Sequence, residues 1–146
     1  MMIVKMNATH VPQIAELEKL CFKDPWSENS IASELDNRLA FWLVALEDEH
    51  VIGYVGSQTV LGETDMMNIA IHPDYRKCGI ATQLICALIQ GLTEQGSHSL
   101  MLEVRASNEP AKNLYIKLGF ETVGIRKNYY RNPREDALIL RKEWSL

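Results

Sequence analysis

Long apolar runs, paired cysteine motifs and glycine-rich nucleotide loops are all missing from this chain. The apolar stretch through Phe41 to Leu46 is far below the ~20 residues that span a bilayer, and Met1-Met2-Ile3-Val4-Lys5 lacks a signal peptide's apolar core. A soluble, cytoplasmic protein without membrane attachment is expected. Cys21, Cys78 and Cys86 are an odd set without C-x-x-C spacing, which excludes a disulfide framework and a cysteine zinc site. His10, His50, His72 and His98 show no metal-ligand spacing, so no metal is expected. Positive charge is also in short supply. With 15 Lys and Arg against 19 Asp and Glu, the net charge of −4 disfavours general nucleic-acid binding, although it leaves a basic protein partner open. Repeats, low-complexity segments and linker-like stretches are absent, and 146 residues suffice for one core. A single domain over residues 1–146 is expected, most simply as a monomer.

What is present alternates between strand and helix patterns. Met2 to Met6 reads as a first strand, followed by a helix capped by Thr9, with Pro12 in its first turn and Ile14, Leu17, Leu20 and Cys21 on its apolar face. Lys23-Asp24-Pro25-Trp26 breaks this helix, and Ser27 caps a second through Ile31 and Leu35. Phe41–Leu46 and Val51–Leu61 flank the acidic turn Glu47-Asp48-Glu49 as a hairpin, and Met66–Ile71 continues the sheet. Ile80, Leu84, Leu88 and Leu92 repeat at four-residue spacing on one long helix that ends near Gly96. In the strand Leu100–Val104, Leu100, Leu102 and Val104 share one face, leaving Met101, Glu103 and Arg105 on the other. A short helix from Pro110 to Gly119 and the strands Phe120–Ile125 and Ala137–Leu140 complete the order β-α-α-β-β-β-α-β-α-β-β. Such an order predicts an α/β (α+β) protein with a mixed sheet and helices on both faces.

The segment Asn68–Ile85 carries the strongest functional signal. An apolar strand runs into Arg76-Lys77-Cys78-Gly79-Ile80-Ala81-Thr82, a basic turn that opens the long helix. Unpaired N–H groups at a helix start, small residues at 79 and 81 and two adjacent cations are the parts of a phosphate cradle. The turn is neither G-x-x-x-x-G-K-[ST] nor G-x-G-x-x-G, which disfavours nucleotide hydrolysis and dinucleotide binding. A solvated strand-to-helix turn explains the local spacing equally well.

R-x-x-G-x-A at Arg76, Gly79 and Ala81, preceded by N-I-A-I-H-P, resembles the acetyl-coenzyme A signature of the GCN5-related N-acetyltransferases (GNAT). Leu102-Glu103-Val104-Arg105-Ala106-Ser107-Asn108, Leu114-Tyr115 and Leu118-Gly119-Phe120 extend the match. The loop Asp24-Pro25-Trp26-Ser27 and the tail Asn128-Tyr129-Tyr130 with Glu135-Asp136-Ala137 are similar to the branch that acetylates bacterial ribosomal-protein alanines. The resemblance implies a GNAT fold with a mostly antiparallel sheet of about seven strands, and acetyl-coenzyme A as cosubstrate. It further implies that Ile69, Ala70 and Ile71 pair with the pantetheine arm, that Lys77 to Thr82 contact the pyrophosphate beside Arg76, and that Asn108 binds farther along the cofactor. Cys78 replaces the polar residue usual at its position, which is harmless where an N–H group carries the role.

On periodicity alone Glu103 is a strand carboxylate and Tyr115 a core contact. By resemblance they are the general base and general acid of transfer to a protein N-terminus, that of the alanine of small-subunit ribosomal protein eighteen. An α-amino group with a pKa of about 8 asks little of such a base, and a phenol near 10 is protonated when a thiolate leaves. Trp26, Tyr129 and Tyr130 are candidate walls for the acceptor, or ordinary support for the sheet end. Asp65, Glu135 and Asp136 are candidates to meet a basic second residue of the acceptor, or simply solvated charges. Acetylation of a small amine or a lysine side chain, and a non-catalytic coenzyme A-binding sensor or assembly partner, are the rival functions.

Overall fold

In a computed structural model that describes residues 1–145, the chain builds one seven-stranded sheet in the order β1-β2-β3-β4-β5-β7-β6. The strands are β1 (Met2–Lys5), β2 (Ala40–Glu47), β3 (His50–Val60), β4 (Glu63–Ile71), β5 (Ser99–Arg105), β6 (Glu121–Tyr130) and β7 (Glu135–Glu143). The helices are α1 (Val11–Cys21), α2 (Glu28–Ser33), α3 (Ile80–Glu94) and α4 (Glu109–Lys117). Neighbouring strands are antiparallel except β4 and β5, which lie parallel. The expected order of elements and the mixed sheet are both present.

Each face of the sheet has its own apolar cluster. On one, Ile80, Leu84, Ile85, Leu88 and Leu92 of α3 meet Leu43, Ala45, Ile52 and Val55 of the hairpin, Leu100, Leu102 and Val104 of β5, and Tyr115 and Phe120. On the other, Val11, Ile14, Ala15 and Leu17 of α1 and Ile31 of α2 cover Trp42, Val44, Tyr54 and Ala70. The four-residue repeat on α3 and the two-residue alternation on β5 therefore bury the side chains their spacing predicts. Among the described residues, no helix is long and apolar enough to cross a membrane.

Local details depart from the sequence reading where hydrogen bonds outweigh pattern. The first cap is Asn7, not Thr9. Asn7 Oδ1 accepts from Thr9 N at 2.9 Å, and Asn7 N donates to His10 Nδ1 at 3.0 Å, so a 3-10 turn over Ala8–His10 leads into α1. Ser27 caps α2 as expected, its Oγ accepting from Ser30 N at 3.0 Å. Leu20, expected on the apolar face of α1, is 56% exposed, and Leu35 also faces solvent. Glu18 is instead 1% exposed. β6 and β7 outrun the expected strands because bulges in their ladder carry the pairing on to Tyr130 and Glu135.

A stack of rings marks the point where the second cluster is least compressible. Trp42 lies 5.7 Å from Tyr54 with nearly parallel planes and receives the edge of Trp26 at 5.4 Å. Gly56 makes room for it, since a Cβ there would sit 2.4 Å from the indole. Gly56→Ala is expected to destabilise the fold by about 1–3 kcal/mol through overpacking. A lowered urea midpoint with unchanged slope would show it, and an unchanged midpoint would contradict the rigidity of the stack.

Candidate active site

The site begins where β4 and β5 part. Their parallel pairing covers only Glu63, Thr64 and Asp65 against Ser99, Leu100 and Met101, yet β4 continues to Ile71 and β5 to Arg105. On β4 a bulge between Met66 and Asn68, opposite Gly56 and Ser57, bends the strand away. His72 N donates to Ile52 O on the β3 side at 2.8 Å, so by strand alternation Ile69 and Ile71 turn their backbone groups to the β5 side. Ile69 N meets Asn68 Oδ1 at 3.0 Å, and Ile71 O accepts from Arg76 Nε at 3.3 Å. The segment Ile69-Ala70-Ile71 is thus a strand edge facing an opening.

At the end of that edge lies the basic turn. Lys77 and Gly79 have φ of 63° and 77°, so successive N–H groups fan outward in the manner of an anion nest. Gly79 occupies the N-cap of α3 without any side-chain cap, which leaves the first-turn N–H groups of the 15-residue helix unsatisfied by side chains. A Cβ on Gly79 would meet nothing within 4 Å, so the glycine serves the backbone angle and the turn is open to an incoming group. Arg76, Lys77, Cys78, Ile80, Ala81 and Thr82 surround this nest along the chain, although the Arg76 guanidinium is turned back toward Ile71 and Cys21. Asn108 caps α4, accepting from Ala111 N at 3.2 Å through Oδ1. Its side chain therefore positions the helix that carries Tyr115.

The two candidate catalytic side chains approach the opening from opposite faces. Tyr115 belongs to the α3 and α4 face, 5.5 Å edge-on from Phe120. Burial, with Tyr130 nearby, pushes its phenol up to about 12. Glu103 projects from the other face of β5, where Arg126 Nε stands 3.2 Å from Oε1. Its second oxygen, Oε2, is buried without a hydrogen-bond partner among the described residues. The Tyr129 hydroxyl is a neutral donor beside this carboxylate. Tyr130 links the two faces electrostatically: burial and then Glu103 raise it to about 12, and it in turn raises Tyr115. Tyr129, 5.1 Å from Tyr130, is raised chiefly by its interaction with Glu103. Asp65 is raised by burial and by the same carboxylate.

Trp26 does not join this group. It packs edge-on against Trp42 in the α1 cluster. Its loop nonetheless reaches the β6–β7 connection, where Lys23 Nζ donates to Asn132 O at 3.2 Å. Glu135 and Asp136 are committed within the fold. Glu135 accepts from Ser107 N and Oγ and pairs with Arg105 at 3.1 Å, and these bonds hold it below the usual carboxylate range. Asp136 Oδ1 accepts from Asn128 N at 2.8 Å.

Two arginines escaped the sequence reading. Arg105 donates to Pro133 O and Arg131 O and lies 4.4 Å over the Tyr130 ring, fixing the β6–β7 loop beside the site. Arg126 reaches Glu103 across β7, and its own partner there is Ala137, which also faces Arg105. Among the described residues, no three His, Cys, Asp or Glu side chains converge as metal ligands.

Known proteins share this sequence pattern and fold. The model of the acetyltransferase (GNAT) family matches residues 11–120. The [ribosomal protein bS18]-alanine N-acetyltransferase of Haemophilus influenzae is 39% identical over 94% of this chain and 95% of its own length. The Escherichia coli protein of the same name is 38% identical over 94% of each. A crystal structure of the ribosomal-protein-S18-alanine N-acetyltransferase from Escherichia coli superposes with a TM-score of 0.91 at 35% identity, covering 99% of this chain and 94% of that one.

Raised tyrosines have a consequence for stability. Tyr115 and Tyr130 titrate near 12 when folded and near 10 when unfolded, so the folded state holds the extra protons between those values. Stability is expected to be constant with respect to these groups below about pH 9 and to fall as pH rises from about 10 to 12. Denaturant titrations at stepped pH test this, and Tyr115→Phe should show a shallower alkaline loss than wild type. Equal slopes would contradict the burial of the Tyr115 hydroxyl in its neutral form.

Proposed function

The chain belongs to the acetyltransferase (GNAT) family, and from that membership we propose that it transfers an acetyl group from acetyl-coenzyme A to a protein N-terminus, the alanine of ribosomal protein bS18. The observation that carries the reading is the Glu103 carboxylate on the Arg126 face of β5 and Tyr115 on the opposite face, beside the point where the β4–β5 ladder stops and leaves the Ile69–Ile71 edge without a partner strand. Identity near 38% over nearly the full length of the named relatives supports the acceptor. The whole chain acts as one domain in this reading.

The residues fit a pyrophosphate-bearing thioester. Backbone N–H groups from Lys77 to Thr82, fanned by the positive φ angles at 77 and 79, hold the pyrophosphate at the start of α3. The free edge of Ile69 and Ile71 holds the extended arm by strand-like bonds. Acetyl-coenzyme A supplies the activated acyl group as a thioester. Glu103 receives the proton of the α-ammonium, directly or through one water, while Arg126 fixes the orientation of its other oxygen. The free amine then attacks the carbonyl carbon; as the carbon–sulfur bond breaks and the amide forms, the nitrogen's second proton passes to the departing sulfur, and Glu103 returns the first to solvent. Tyr115, neutral up to about pH 12, donates a hydrogen bond to the thiolate and can relay that second proton to it while remaining neutral itself. No enzyme nucleophile takes part, and Cys78 and Cys86 stand exposed outside the chemistry.

Intact-mass analysis of an alanine-terminated bS18 peptide, beside a copy blocked at its N-terminus, tests the reading. One added acetyl on the free peptide alone is expected. Acetylation of both would place the chemistry on lysine, and of neither would overturn transfer to this acceptor. Glu103→Gln is expected to lower kcat about 10²-fold at pH 7. The deficit should shrink above pH 8, where the amine loses its proton unaided. Tyr115→Phe should lower kcat while leaving coenzyme A affinity within about twofold. Gly79→Val places a β-branched residue at φ 77°, so coenzyme A affinity measured by calorimetry should fall about tenfold. Unchanged affinity would remove the nest from the donor site.

A further inference from the structure

Among the described residues Glu18 is the one buried carboxylate, and three neutral donors converge on it. Tyr54 Oη and Asn68 Nδ2 donate to Oε2, the latter at 2.8 Å, and Trp26 N donates to Oε1 at 2.9 Å. A buried charge without a cationic partner is costly, and an apolar residue would fill the same space more cheaply. Two of the three donors lead to the site. Asn68 sits at the β4 bulge, and its Oδ1 accepts from Ile69 N at the head of the open edge. Trp26 belongs to the loop whose Lys23 meets Asn132 over the face that carries Glu103. The carboxylate therefore joins the donor-facing edge to the acceptor-facing loop in a single hydrogen-bonded node.

Resting on the proposed acetyl transfer, we infer that Glu18 is a positioning residue for that reaction, acting through Asn68 on the β4 edge and through Trp26 on the acceptor loop. The chemistry requires a carboxylate. Two acceptor oxygens satisfy donors on both sides, and they also fix the Asn68 amide with nitrogen toward Glu18 and oxygen toward Ile69 N–H. A glutamine has one acceptor oxygen. With that oxygen toward Tyr54 and Asn68, its NH2 group faces Trp26 N–H and the loop loses its tether. The reverse orientation would turn Asn68 over and set two donors against each other at Ile69, so the first arrangement is the cheaper.

Glu18→Gln is therefore expected to raise the KM of the alanine-terminated peptide about tenfold while coenzyme A affinity, read by calorimetry, stays within twofold. Amide exchange at Trp26 should quicken and that at Ile69 should not. Asn68→Ala releases the other arm, and should weaken coenzyme A binding about fivefold with the peptide KM within twofold. A folded Glu18→Gln protein with unchanged peptide KM and unchanged Trp26 exchange would overturn the inference, as would equal losses of both substrates in both variants. Should Glu18→Gln fail to fold, Asn68→Ala decides the matter by the same split. The exchange and calorimetry readings need no acceptor, so failure of wild type to acetylate the peptide counts against the proposed function and leaves the node to be judged separately.

Discussion

The parting of β4 from β5 is the constraint on which the rest of the molecule depends. Two parallel strands that stayed paired along their length would close the sheet, bury the Ile69–Ile71 edge and separate Glu103 from Tyr115 by a continuous wall. The ladder instead stops after Asp65 and Met101. Unpaired backbone is costly when it faces no partner, so the opening persists only because other elements hold each strand where it is. On β5 that support is the antiparallel ladder with β7 from Ser99 to Arg105. On β4 it is the ladder with β3, bent by the bulge at Met66 and Asn68, together with the Asn68 side chain bound to Glu18.

Electrostatics divides the opening into two environments. On the α3 and α4 face are the partial positive charge of the α3 start and a phenol that burial keeps neutral. On the far face a carboxylate, an arginine and two tyrosines form a polar patch beneath the β6–β7 loop. In the proposed reaction, the charge of the donor and that of an ammonium acceptor would be met on opposite sides of one sheet. Arg105 belongs to this division as well, since its bonds to Pro133 O, Arg131 O and Glu135 fix the loop above Tyr130.

Much of the fold was legible because it rests on periodicity. Ile80, Leu84, Leu88 and Leu92 announce α3 by spacing, and all are buried against the sheet. The alternation in β5 placed Glu103 and Arg105 on the face opposite Leu102 and Val104, where they stand. What escaped is what depends on three-dimensional neighbours rather than on pattern. Glu18 drew no attention in the sequence, and its burial rests on the convergence of Tyr54, Asn68 and Trp26, up to 50 residues away. Arg126 reaches Glu103 across an intervening strand, a contact that no local spacing encodes. Glu135 and Asp136 looked like free charges for the same reason, although both serve hydrogen bonds within the hairpin region. The strand edge and the phosphate turn lay between these cases, since the residues were visible but the gap that makes them a site was not.

The central claim is that donor and acceptor meet through the gap between β4 and β5. Its most direct test is the affinity of a conjugate in which the coenzyme A sulfur is joined through an acetyl bridge to the nitrogen of an alanine-terminated peptide. If donor and acceptor meet at that gap, the peptide half binds at an effective concentration in the millimolar range, and the conjugate should bind about 10²-fold or more tightly than coenzyme A alone. A conjugate that binds no more tightly than coenzyme A, with its peptide half left in solvent, would contradict the account.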